Sequence, residues 1–237
     1  MSGLEHRQLA PEILDGLAAD DPRALTARRD LRRINMLMFQ VPIMTSLLKR
    51  FVPKPPRRIL EIGAGDGSFM LAVARRMARH WPGVELAMLD RVDLVTAQLR
   101  DDFDRLGWKA EGITADVFDW TGKFEGARFD AVTVNLFLHH LDDAQLVRLF
   151  SLIRPIAPLL IATEPLRAKL ALAATRLLPA IGANDVTQND AAQSVRAGFR
   201  GGELSGLWLA ANGQPVEERR AGLFSHIFVG AGASVDP

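Results

Sequence analysis

The stretch Pro-Arg-Arg-Ile-Leu-Glu-Ile-Gly-Ala-Gly-Asp-Gly-Ser-Phe at residues 56–69 constrains this chain more than any other. Arg58 to Ile62 reads as a buried strand, Gly63 to Gly67 as a tight glycine turn, and Ser68 to Arg79 as a helix. A strand, a glycine turn and a helix N-terminus bring backbone N–H groups to a place where a nucleotide-like ligand can approach closely. Which ligand that turn holds decides the function.

The rest of the composition narrows the classes. A chain of 237 residues with 48% apolar content can bury one substantial core. A net charge of +1 gives no overall drive toward nucleic acid or an acidic membrane. With no cysteine there is no disulfide, no thiolate nucleophile and no Cys-built metal site, and no metal is expected. Met1 to Asp21 contains acids and lacks the apolar segment of a secretory signal. The apolar runs fall short of the roughly 20 residues of a membrane span. The expectation is a cytoplasmic protein without stable membrane insertion.

Read in order, residues 1–21 form a loose arm or a short helix. Asp21-Pro22 is a helix start, with Asp as N-cap and Pro at the first helical position. Leu31, Ile34, Met38 and Val41 then recur at helical spacing, with Arg28, Arg29, Arg32 and Arg33 mostly opposite. Those arginines read either as a solvated face or as a lid meeting an anionic substrate, a membrane surface or a partner. Pro42 is expected to break this helix and Ile43 to Phe51 to form a second. Pro53-Lys54-Pro55-Pro56 marks the boundary between an N-terminal helical lid (1–55) and a core (56–237). Further strands are expected at Val84–Leu89, Gly112–Ala115, Phe129–Val134 and Pro158–Thr163, with helices between them. This alternation predicts an α/β fold, a doubly wound and mostly parallel sheet. Beyond it, Pro165–Leu178 reads as a helix, residues 179–202 as an irregular acceptor-binding insertion, and Pro215–Arg220 with Leu223–Val229 as an edge hairpin.

The dinucleotide fingerprint G-x-G-x-x-G would require glycine at position 68, where Ser68 stands. Glu61, two residues before the first glycine, would repel a pyrophosphate but welcome a cationic amino-acid group. With these residues the sequence resembles the class I S-adenosylmethionine (SAM) dependent methyltransferases. Glu61-x-Gly63-x-Gly65-x-Gly67 is similar to their first motif, with Ala64 inside it. Asp90, beside Arg91, matches the acid that binds the ribose hydroxyls. Asp116-Val117 resembles the pair beside the adenine, and Asn135-Leu136 the segment under the methionine portion. The resemblance implies a seven-stranded Rossmann-like sheet with an antiparallel C-terminal hairpin, SAM as cofactor and S-adenosylhomocysteine (SAH) as product. The helical arm is similar to the lid of small-molecule members such as quinone and polyketide methyltransferases.

Methyl transfer is an in-line displacement in which alignment in a water-poor pocket supplies much of the rate. A base is needed only if the acceptor must lose a proton. Tyrosine and cysteine are absent, so the candidates are His139, His140 and Glu164, while His226 reads as structural. Asn189, Asp190 and Arg196, in a stretch that also carries Ser194, are the candidate acceptor-binding residues. The Asn/Asp-Pro-Pro-aromatic tetrad of base-methylating enzymes is replaced by Asn135-Leu136-Phe137-Leu138, so a nucleic-acid target is not expected. A small, partly apolar acceptor methylated on oxygen leads, with a homodimer allowed. A nicotinamide-dependent dehydrogenase and a non-catalytic SAM-binding protein are the alternatives.

Overall fold

A computed structural model describes residues 3–232. After an irregular arm with a 3-10 turn at Leu14–Gly16, two helices follow, α1 (Pro22–Leu37) and α2 (Gln40–Phe51). Asp21 caps α1 through the Arg23 N–H, and Pro22 occupies its first position. The break comes at Met38–Phe39 rather than at Pro42, because Phe39 turns left-handed (φ 57). Pro42 sits in the first turn of α2, where its missing N–H costs nothing.

The sheet contains β1 (Arg58–Ile62), β2 (Glu85–Asp90), β3 (Lys109–Thr114), β4 (Ala131–Asn135), β5 (Leu159–Pro165), β6 (Gln214–Ala221) and β7 (Ser225–Ala231). Their order is β3-β2-β1-β4-β5-β7-β6. The first five run parallel and β7 pairs antiparallel with both β5 and β6. This is the expected seven-stranded, mostly parallel sheet with a C-terminal hairpin. Central strands β1, β4 and β5 are almost wholly buried, as strands covered on both faces must be. The order reverses between β1 and β4, so the crevice beyond their carboxyl ends lies at a topological switch point.

Helices cover both faces: α3 (Ser68–Met77), α4 (Ala97–Arg105), α5 (Val117–Gly122), α6 (Asp143–Ile153), α7 (Lys169–Thr175), α8 (Asp185–Ala197) and α9 (Glu203–Ala210). One apolar cluster joins Phe150, Trp208 and Phe228 to the inner strands, and the other joins Met44, Leu47 and Leu48 of α2 to α3 and the opposite sheet face. The second helix of the N-terminal segment is therefore built into the core. Residues 179–202 are not irregular: Asn184 caps α8 by accepting from the Thr187 N–H, and 13 residues of helix follow. Among the described residues no helix is long and apolar enough to cross a membrane.

Candidate active site

Three strands end on acids at one edge of the sheet, and backbone geometry fixes what each acid does. Gly63, Gly65 and Gly67 have φ of +70, +55 and +72, in the left-handed region where a side chain is strained. A Cβ on Gly63 would lie 2.6 Å from the Phe137 ring, and one on Gly67 would lie 2.5 Å from Leu99. A Cβ on Gly65 would meet no atom within 4 Å, because Gly65 opens onto a cavity. The Gly65 N–H donates to Asp90 Oδ2 at 2.8 Å and Val92 N–H to Oδ1 at 3.0 Å, which aims the remaining lone pairs of Asp90 away from the turn. Asp116 receives the Phe118 and Asp119 N–H groups on Oδ1, capping α5. Glu61 is buried and accepts from the Thr133 hydroxyl. Burial pushes its carboxyl up to about 8, against the smaller opposing effect of that hydrogen bond.

These groups line one cavity of about 1100 Å³. Ala64, Arg91, Val117, Asn135 and Leu136 also line it, whereas Gly67 does not. Gly67 instead packs under the turn against Met88 and Leu99. Leu31 and Ile34 of α1 face the cavity, so the apolar stripe of that helix forms a wall of the pocket and not a core contact. Its buried residues are Ala24, Ala27 and Asp30, the last accepting the Asn184 N–H to tie α1 to α8. Arg32 reaches from α1 to Asp66 of the glycine turn at 2.7 Å, an ion pair within the chain. Arg33 pairs with Asp30 in its own helix and Arg29 donates to Thr26.

The catalytic candidates separate once their partners are counted. Glu164 is fully buried, and its Oε1 accepts the Phe137 and Leu138 N–H groups at 3.0 and 2.7 Å. Its Oε2 lies 2.7 Å from His139 Nδ1, so this carboxylate clamps a loop and is not a base or an acceptor contact. The loop needs a clamp, since Leu136 turns left-handed (φ 53) without being glycine. The second nitrogen of His139 faces Glu12 Oε1 at 3.6 Å. Burial alone would push this imidazole down, but hydrogen bonds to Glu12 and Glu164 and their charges raise it to about 9. His140 stacks on His139 with ring centroids 4.3 Å apart and lines the cavity. Burial and the charge of His139 lower its pKa.

The acceptor-binding expectation needs correction. Asp190 is buried and accepts the Ile13 and Leu14 N–H groups at 2.8 and 2.9 Å, Asn189 donates to Asp190, and Arg196 lies off the main cavity near Gln193. The face of α8 that lines the cavity carries Ala191, Ser194 and Val195. Sequence reasoning missed Glu12 altogether. An acid in a polar arm carries no local signal, and only the path of the arm over α8 brings it to His139.

The stretch from β1 to the end of α6 carries the glycine turn and all three acid-ended strands, and residues 59–156 match the family model described as a methyltransferase domain. Over this segment the chain is similar to methyltransferase domains. Curated relatives of the chain include uncharacterized methyltransferases of Mycobacterium bovis and Mycobacterium tuberculosis, each 34% identical over 120 residues. That match takes in 50% of this chain and 56% of each relative, so the chain spans about half the length of the curated relatives it matches. Among solved structures, an O-methyltransferase family protein from Burkholderia thailandensis is similar with a TM-score of 0.62 at 18% identity, over 92% of this chain and 62% of that one. Mitomycin 7-O-methyltransferase is similar with a TM-score of 0.61 at 19% identity, over 93% and 60%. The magnesium protoporphyrin IX methyltransferase of Synechocystis, solved with bound SAH, gives 0.56 at 13% identity, over 93% and 91%. At these identities the likeness is one of fold, and it extends beyond the matched segment to nearly the whole chain.

Proposed function

We propose that this protein transfers a methyl group from SAM to an oxygen of a small, partly apolar molecule. One observation carries the reading: the cavity that holds the glycine turn, Glu61, Asp90 and Asp116 continues without a wall into an apolar chamber made by α1, α7, α8 and the N-terminal arm. Such a cavity has a donor end and an acceptor end. The donor end fits SAM residue by residue. Glu61, a buried carboxyl whose one hydrogen bond among the described residues comes from Thr133, would receive the ammonium group. Asp90, oriented by two amides, would receive the ribose hydroxyls, and Asp116 with Val117 would flank the adenine. SAM supplies an electrophilic methyl on a sulfonium, which leaves as the neutral thioether SAH.

The chain's own residues then align and dry the acceptor. Leu31, Ile34, Ala174 and Leu178 offer apolar contact, and the arm closes the far side with Leu9, Leu14 and Leu17. The polar end of this chamber is the group Glu12, His139, His140 and Ser194, where an acceptor hydroxyl would be held and lose its proton. Names of structural neighbours support oxygen as the target, since two of them are O-methyltransferases.

Calorimetry with SAM, SAH and NAD, followed by a metabolite-pool screen with isotopically labelled SAM, tests the proposal. SAM and SAH should bind one per chain, and label should enter a small apolar product. Binding of NAD without a response to SAM would overturn it.

A further inference from the structure

The polar end of the cavity gathers groups that can ligate a cation as well as move a proton. Glu12, His139 and His140 each present a ligand atom, and these atoms lie within 4.8 Å of one another. The His139 Nε2 to Glu12 Oε1 separation is 3.6 Å. Ligand atoms around a tetrahedral cation with bonds of about 2.0–2.1 Å stand about 3.4 Å apart, so small side-chain rotations would close the set. A fourth oxygen, Asp15 Oδ2, lies 3.8 Å from His140 Nδ1.

The surroundings of His139 make this more than a chance meeting of polar side chains. Its Nδ1 is held at 2.7 Å by Glu164, a carboxylate with no exposure to solvent that is itself fixed by backbone N–H groups of the same loop. A carboxylate on one ring nitrogen fixes the tautomer and orientation of an imidazole so that the other nitrogen points to a cation. Here that other nitrogen points to Glu12. Glu12 arrives on a separate piece of chain, the N-terminal arm, and is positioned by the Ser194 hydroxyl of α8. Three elements thus converge on one point, and the cavity leaves the remaining side open.

We propose that Glu12, His139 and His140 form a binding site for a divalent transition cation, with Glu164 orienting His139 and Asp15 at its edge. Two imidazoles and a carboxylate are borderline donors, which suit Zn²⁺, Co²⁺ or Mn²⁺ better than Mg²⁺ or Ca²⁺, whose preference is for all-oxygen sets. Three protein ligands leave a coordination position facing the acceptor chamber, the arrangement of a catalytic and not a structural site. An acceptor oxygen placed there would be both positioned and made more acidic. This consequence rests on the proposed methyl transfer, whereas the site itself does not.

The test uses the full-length, untagged protein stripped with EDTA and titrated with Co²⁺, followed by Zn²⁺ competition. One Co²⁺ per chain should bind with visible d–d bands of a low-coordinate nitrogen and oxygen site, and Zn²⁺ should abolish the bands. His140→Ala and Glu12→Gln should each weaken binding at least 10-fold, and Glu164→Gln about 10- to 100-fold through the loss of orientation. His80→Ala, in the exposed turn after α3, should leave it unchanged. Thermal melts of each variant separate lost ligands from lost folding. Absence of saturable Co²⁺ binding, or binding that survives both His140→Ala and Glu12→Gln, would overturn the site. SAM calorimetry on the stripped protein reads the methyltransferase proposal independently, because Glu61, Asp90 and Asp116 are not among the proposed cation ligands.

Discussion

Leu136 holds a left-handed backbone that costs a non-glycine residue about 1–2 kcal/mol, and the residue that sustains it is Glu164. Removing that carboxylate would leave buried N–H groups of Phe137 and Leu138 and the ring of His139 without a partner. Glu164→Ala is therefore expected to lose about 3–5 kcal/mol of stability, read as a lower urea midpoint. A loss below 1 kcal/mol would show that the clamp is not a structural necessity. Glu61 makes a different prediction. Its ordinary pKa of 4.5 rises to about 8 in the fold. Between those values the unfolded chain carries fewer protons than the native one, so stability contributed at this site falls as pH rises from about 4.5 to 8. Glu61→Gln should flatten that decline in a pH series of urea melts. The same shift couples to the cofactor, whose α-amino group titrates near 7.7–8.0. Below pH 7 the free partners hold two protons and an ammonium–carboxylate pair holds one, so SAM binding should release up to one proton. At pH 9 it should take up to one. Calorimetry in buffers of different ionisation heats measures both signs, and a proton count of zero at both pH values would remove Glu61 from the ammonium contact.

At the scale of elements, the N-terminal arm is the least expected part. Arg7 donates to Leu141 O at 2.7 Å and to Ala197 O at 3.0 Å, while Arg167 donates to Leu4 O at 3.1 Å. Asp190 takes two consecutive amides of the arm, and so works as an anchor and not as an acceptor contact. Asp190→Ala should cost about 1–3 kcal/mol and speed amide exchange at Ile13 and Leu14. An unchanged exchange rate there would return Asp190 to the list of acceptor contacts. On α1, the Arg32–Asp66 pair is partly exposed, with side chains 45% and 30% accessible. A double-mutant cycle should give it under about 1 kcal/mol of coupling, and less in high salt. Its use is to hold α1 over the glycine turn more than to stabilise the fold.

Over the whole molecule, the proposed ribose contact of Asp90 predicts that Asp90→Ala weakens SAM binding at least 10-fold by calorimetry while the sheet persists in circular dichroism. Retained affinity would contradict the ribose assignment. The sheet and the glycine turn were legible in the sequence, since both depend on local patterns. Buried parallel strands read as short apolar runs, glycines at 63, 65 and 67 mark positive φ, and Glu61, Asp90 and Asp116 stand at or just past the ends of β1, β2 and β3. The helix at Asp185–Ala197 was not legible, because its polar residues bond to the arm and to α1 in place of water, leaving a weak apolar period. The break before α2 was misplaced for a related reason. Proline has a strong local signature, whereas the left-handed turn of Phe39 has none. The sequence by itself determined the seven-stranded, mostly parallel sheet with its C-terminal hairpin and the positive-φ glycine turn, because chain neighbours supply that geometry. Only the tertiary structure decided what faces the acceptor and how Glu12, His139 and Glu164 meet, because those residues are more than a hundred positions apart or are aimed by a strained turn, and contacts of that kind leave no period in the chain.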